Sequence, residues 1–126
     1  MRVLLTFQDL QLNNKMPVYM QIALYVKRRI LLKWAVSGDK LPSRRDIAMQ
    51  LNINPNTVQK AFKLMEDEGY VRTSSTTGSV IYLNDEIYSR IESELTKEMV
   101  AAFIAEAKEA NLSFKKTVEL LTELWE

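Results

Sequence analysis

Within LNINPNTVQKAF, residues 51–62, two amides and an ammonium stand at Asn56, Gln59 and Lys60, and a second ammonium follows at Lys63. That spacing gathers all four on one side of a helix. Val58, Ala61, Phe62 and Met65 recur at i, i+3, i+4 and i+7 on the opposite side, which is the side that packs. An Asn or Gln amide can pair with N6 and N7 of adenine in a major groove, and Lys reaches guanine acceptors or phosphate oxygens. A solvated helix face behind an ordinary cap is the plainer alternative. Neighbouring residues have to separate the two.

Other chemistries are scarce. The chain has no histidine and no cysteine, which removes Ser-His-Asp and Cys-His machinery, disulfides, thiolates and the commonest zinc ligand. Asp67-Glu68 and Asp85-Glu86 lie near expected helix ends, where a solvated or dipole-compensating role suffices. Three glycines cannot build a phosphate-cradling loop. An enzyme is not expected, nor a cofactor or metal.

The elements that would position the polar face can be read outward from it. Asn54 is a good N-cap and Pro55 suits the first helical position, so the polar cluster is a helix start. Gly69 supplies the left-handed stop. Upstream, LPSRRDIAMQL opens with Ser43 three residues before Asp46, a capping-box pattern with Asp in the usual Glu place, and predicts a short helix over about 44–50. Residues 17–34 carry apolar positions at helical spacing behind Pro17, with Lys27, Arg28 and Lys33 leaning outward, and Ser37-Gly38-Asp39 ends that helix. Downstream, YVRT and SVIYL flank SSTTG and predict a β-hairpin. Three helices and a hairpin make a winged helix-turn-helix.

Arg44 and Arg45 stand at a helix start, where positive charge opposes the dipole, and an external anion would compensate both. Thr76, Thr77 and Gly78 at the hairpin tip offer hydroxyls and a close backbone approach. Base-reading helix, basic helix start and hairpin tip all face one duplex in a winged helix. Charge follows suit: residues 16–83 hold ten basic and five acidic side chains, and residues 84–126 hold five basic and ten acidic. Only the first part is built to meet a polyanion.

The run GDKLPSRRDIAMQLNINPNTVQKAFKLMEDEGYVRTSSTTGSVI resembles the DNA-binding signature of the GntR family of bacterial transcription regulators, and PVYMQIALYVKRRI is similar to that family's first helix. The likeness rests on LPS-x-R, NPNTV, the glycine stop and the glycine-tipped wing, in one order and spacing. It implies DNA contacts from Arg45, Asn56, Thr57, Gln59 and Lys60 and from the wing around Thr77 and Gly78, with Asn54 and Pro55 at the same helix start. Arg44 stands where the family often has Glu, so its phosphate role is read from this chain alone. Ser79-Val80-Ile81 approximates the family's usual wing sequence, GTFV or GSFV.

Residues 84–126 contain neither glycine nor proline. Asn84 caps a long helix over about 85–110 with Ile87, Ile91, Leu95, Met99, Phe103 and Ala107 on one side. Asn111-Leu112-Ser113 breaks it, and a second helix follows with Phe114, Val118, Leu121 and Trp125 inward. Such a tail carries more apolar surface than a small head can cover, so Ile91, Leu95, Phe103, Val118, Leu121 and Trp125 are the expected homodimer interface. The short two-helix tail resembles the YtrA-like subgroup of the family, whose members often regulate operons encoding ABC transporters.

The expectation is therefore a mainly α chain with one small hairpin. It has an N-terminal extension over 1–15, a winged helix-turn-helix over 16–83 and a helical dimerisation region over 84–126. Its function would be sequence-specific transcriptional regulation, as a repressor, by a homodimer on an inverted-repeat operator of double-stranded DNA. The rival is a winged-helix protein-interaction module, which an acidic or apolar recognition face would have favoured. No apolar run approaches the roughly 20 residues of a membrane helix, and MRVLLTFQDLQLNNK turns polar too soon for a signal peptide. A cytoplasmic location is expected, and no effector can be assigned.

Overall fold

Among the residues described by the computed structural model, 5–126, the elements run α1 (Val18–Leu31), α2 (Arg44–Leu51), α3 (Pro55–Glu68), β1 (Val71–Ser74), β2 (Gly78–Ile81), α4 (Asp85–Glu109) and α5 (Phe114–Leu124). None of these helices is long and apolar enough to cross a membrane. The first four residues of the N-terminal extension lie outside the described residues.

Helix α3 is the centre of the first packed unit, which extends to Ile91. It buries Val58, Ala61, Phe62 and Met65 against α1, α2 and β1, the stripe its periodicity requires. Each such side chain contributes roughly 1.5–3 kcal/mol by leaving water. Its entry is fixed by Asn54, whose Oδ1 accepts the Asn56 amide at 2.8 Å, and its exit by Gly69 at φ +93°. The turn from α2 into α3 passes through Asn52 at φ +55°, a left-handed conformation that asparagine tolerates. Ser43 caps α2 by accepting the Asp46 amide at 3.1 Å.

Helix α1 departs from expectation at two places. Lys27 does not lean outward: its ammonium lies 2.7 Å from the Glu68 carboxylate and 5.7 Å from the centre of the buried Tyr70 ring. Its aliphatic stem covers the core while the end of α3 neutralises its charge. The helix also stops at Leu31, before the Ser37-Gly38-Asp39 turn, because Lys33 adopts φ +62° and the Trp34 and Ala35 amides return to the Arg29 carbonyl. Trp34 is consequently 65% exposed, with the Arg29 guanidinium 5.0 Å from its ring centre.

Strands β1 and β2 pair antiparallel in the register Val71↔Ile81 to Ser74↔Gly78. The outer edge of β2 is covered by residues 38–41, through Gly38 N–H to the Ile81 carbonyl at 2.7 Å, Ile81 N–H to Asp39 at 2.8 Å and Leu41 N–H to Ser79 at 3.0 Å. The N-terminal segment joins the same unit rather than standing apart from it. Leu5 N–H reaches the Lys40 carbonyl at 3.0 Å, and the fully buried Phe7 ring lies 5.1 Å from that of Tyr25. Gln21 holds residues 13–16 to α1 with bonds to both backbone groups of Asn13 and to the Met16 carbonyl.

The start of α4 also belongs to this unit, which extends to Ile91. Asn84 Oδ1 caps it at the Ile87 amide, the Tyr88 hydroxyl donates to the Leu31 carbonyl at 3.2 Å, and Arg90 donates to the Glu68 carbonyl.

The second unit, Glu92–Glu126, is the remainder of α4 and α5. They are separated by Asn111 at φ +58°, and Ser113 caps α5 at the Lys116 amide. Phe114, Val118, Leu121 and Trp125, expected inward, are exposed, as are Met99, Phe103 and Leu124. Two short helices of one chain cannot enclose so many large side chains. Phe103, Leu112, Leu121, Leu124 and Trp125 line an apolar depression of about 240 Å³.

Candidate nucleic-acid interface

Asn56, Gln59, Lys60 and Lys63 all emerge exposed from α3, with Thr57 half-buried beside them. Lys63 lies 3.5 Å from Asp67 one turn on, an exposed pair that leaves its ammonium available. Lys60 is held differently: its ammonium sits 4.3 Å from the centre of the Tyr19 ring at the start of α1. A cation over an aromatic face is favoured electrostatically, and the contact restricts a flexible side chain before any ligand arrives. Pro17, Val18, Tyr19, Asn56, Thr57 and Lys60 surround an open depression of about 560 Å³. In the sequence the PVY at residues 17–19 signals only a helix entry, and the role of Tyr19 depends on Lys60, which is distant in the chain.

The backbone amides at the two helix starts are used differently. At α3, Pro55 has none, the Asn56 amide is taken by Asn54 Oδ1, and the Thr57 amide goes to the Asn54 carbonyl at 3.0 Å. Asn54 and Pro55 therefore build the helix end and leave recognition to side chains further along. At α2 the Ser43 hydroxyl and carbonyl satisfy Asp46 and Ile47, while the Arg44 and Arg45 amides have no partner among the described residues. The helix start suited to an anion is that of α2.

The two arginines there diverge. Arg45 is exposed and makes no ion pair among the described residues. Arg44 folds back on the protein: its guanidinium lies 4.7 Å from the centre of the Phe62 ring and 3.8 Å from a Glu66 oxygen. Its Nε–H is buried without a hydrogen-bond partner. Of the pair, Arg45 is the more exposed.

At the wing tip the hydroxyls hold one another. Ser74 Oγ accepts the Thr77 amide at 3.0 Å and lies 2.6 Å from Thr77 Oγ1, which closes the loop, while Thr76 and Thr77 remain exposed. Gly78 sits at φ +74° with open space where a Cβ would be, so its glycine is required by conformation and not by crowding.

The expected tail residues are not equivalent. Ile91 and Leu95 are already buried within the single chain, at 2% and 6% exposure, and have no area left to offer another molecule. Phe103, Val118, Leu121 and Trp125 are exposed.

Residues 18–81 match the family model described as bacterial regulatory proteins, gntR family. The chain is 36% identical over 111 residues to YhcF of Bacillus subtilis, an HTH-type transcriptional regulator, covering 88% of this chain and 92% of that protein. It is also 36% identical over 114 residues to YtrA of Bacillus subtilis, an HTH-type transcriptional repressor, covering 89% and 87%. A solved structure of a GntR family transcriptional regulator from Listeria monocytogenes superposes with a TM-score of 0.77 at 26% identity, over 90% of this chain and 99% of that one.

Proposed function

Because the chain belongs to the GntR family of DNA-binding transcriptional regulators and resembles its YtrA-like members, we propose that it is a repressor acting as a homodimer on an inverted-repeat operator. Its relatives are regulators and not enzymes. The observation that carries the DNA contacts is the exposed row Asn56, Gln59 and Lys60 on α3, with Arg45 and the Thr76–Gly78 tip exposed as well. In a helix-turn-helix such residues enter the major groove, while the neighbouring basic helix start and the wing meet backbone.

Dimerisation rests on the second unit, whose exposed Phe103, Val118, Leu121 and Trp125 need a cover. A two-fold pairing would present two heads and demand two half-sites in inverted repeat. The repressor assignment follows the name of the YtrA relative. A transporter operon as target follows the subgroup resemblance, and the working compartment is the one that holds the DNA, the cytoplasm.

The test is selection of binding sites from random duplexes, paired with sedimentation of the chain alone and bound. An inverted repeat bound by two copies is the expected result. Selection of direct repeats or single half-sites by a monomer would reject the dimer. Failure to enrich any duplex would reject the assignment of these residues to DNA.

A further inference from the structure

Glu66 lies more than two turns beyond Asn56 on α3, close to a face meant for a polyanion, where a carboxylate is electrostatically unwelcome. Its Oε2 accepts the Thr73 hydroxyl of β1, and the same oxygen lies 3.8 Å from the Arg44 guanidinium of α2. Thr73 Oγ1 in turn lies 2.6 Å from Ser79 Oγ, its register partner on β2. The proton order follows from the chemistry. A carboxylate only accepts, so Thr73 gives Glu66 its one proton, and Ser79 must donate to Thr73. One carboxylate thus joins the start of α2, the recognition helix and both wing strands.

We propose that Glu66 is a positioning residue that sets the balance between specific and random DNA binding. This rests on the reading that α3 and the wing meet one duplex. Two four-residue strands do not orient themselves. The Ser79–Thr73–Glu66 chain ties the hairpin to α3, so the wing tip stands at a fixed reach from Asn56 and Gln59. On its other side Glu66 holds Arg44 back. The 3.8 Å separation is an ion pair without a close hydrogen bond, and the Arg44 Nε–H is unsatisfied, so this guanidinium is held but not fully engaged. Without Glu66's charge, Arg44 keeps only its contact with the Phe62 ring and becomes an unpaired cation beside the start of α2.

The two roles separate by substitution. Glu66→Gln keeps a carbonyl oxygen for Thr73 and removes the charge that restrains Arg44. Binding to a random-sequence duplex should tighten several-fold, and its salt slope should steepen by about 0.9, the value for one added phosphate contact. Thr73→Val removes the hydroxyl link and leaves the charges alone. It should weaken binding to the duplex selected by the unmutated chain by up to about thirty-fold, the loss of both hydrogen bonds of its hydroxyl, and erase the wing from a hydroxyl-radical footprint. Random binding should hardly change. Ser79→Ala provides a second break in the same link, should the Thr73 variant fold poorly.

A salt slope unchanged in Glu66→Gln would overturn the restraint of Arg44. An intact wing footprint in both hydroxyl variants would overturn the tether, while the DNA assignment stands. If the unmutated chain shows no wing protection on its own selected site, the reading of the wing itself fails, and the inference with it.

Discussion

Replacing Phe103 with glutamate separates a dimerising tail from one that is merely exposed. Phe103 is 43% exposed in the single chain. A phenylalanine presents roughly 200 Å² in all, so about 85 Å² remains to be buried per protomer. At about 25 cal/mol per Å² its removal forfeits about 2 kcal/mol on each side of a two-fold interface, or about 4 kcal/mol per dimer. That is close to a thousandfold in dissociation constant before any penalty for the new charge, and an unpaired buried carboxylate adds to it. The assay is sedimentation equilibrium over a concentration series, with circular dichroism to confirm that the helices persist. The unmutated chain should be a dimer at micromolar concentration and the variant a monomer with a folded head that binds random DNA weakly. Ile91→Ala is the internal contrast: at 2% exposure Ile91 lies inside the first unit, so that change should lower thermal stability and leave association much as it was. A Phe103→Glu chain that still sediments as a dimer, or an unmutated chain that is monomeric, would refute the reasoning.

Arg45→Ala should weaken every duplex alike and flatten the salt dependence by about one counterion, measured by titration at several salt concentrations. Asn56→Ala and Gln59→Ala should each cost roughly 1–3 kcal/mol on the selected site and much less on random DNA, and equal losses on both would demote them to backbone contacts. Phe7→Ala should destabilise the head by roughly 3–5 kcal/mol in urea unfolding, because its ring is fully buried beside Tyr25. A negligible shift would mean that the N-terminal segment is dispensable to the fold.

What was legible in the sequence was local. Ser43, Asn54 and Asn84 each cap the helix they precede, and Gly69 ends α3 in a left-handed turn, because caps and stops act within a few residues. What was hidden depended on residues far away in the chain. Lys27 turns inward because Glu68, on another helix, meets it there. Residues 38–41 show no strand periodicity of their own and become a sheet edge only beside β2. Phe7 is core because Tyr25 lies beneath it. The site divides the same way: the α3 row was visible from spacing, whereas the Tyr19 contact to Lys60 and the Glu66 contact to Arg44 needed three dimensions.

The use of amides bears on why one head is insufficient. With the Asn56 and Thr57 amides taken by Asn54, α3 on the proposed reading would meet DNA through side chains alone, chiefly those of Asn56, Gln59 and Lys60. Each good base contact discriminates by about 1–3 kcal/mol. Three of them at the middle of that range give about 6 kcal/mol, roughly a 10⁴-fold preference. A bacterial genome offers on the order of 10⁶ competing sites, so such a head would spend most of its time elsewhere. Adding phosphate contacts does not help, since any made by Arg45 or the α2 amides would strengthen random and specific binding together. Holding Arg44 on Glu66, as proposed, would move the ratio the right way by withholding one such contact, but by a modest factor. A second head doubles the discriminating term and leaves the competition unchanged. On this arithmetic, if the proposed dimer forms, its exposed apolar tail would be as much a part of sequence recognition as the helix proposed to touch the bases.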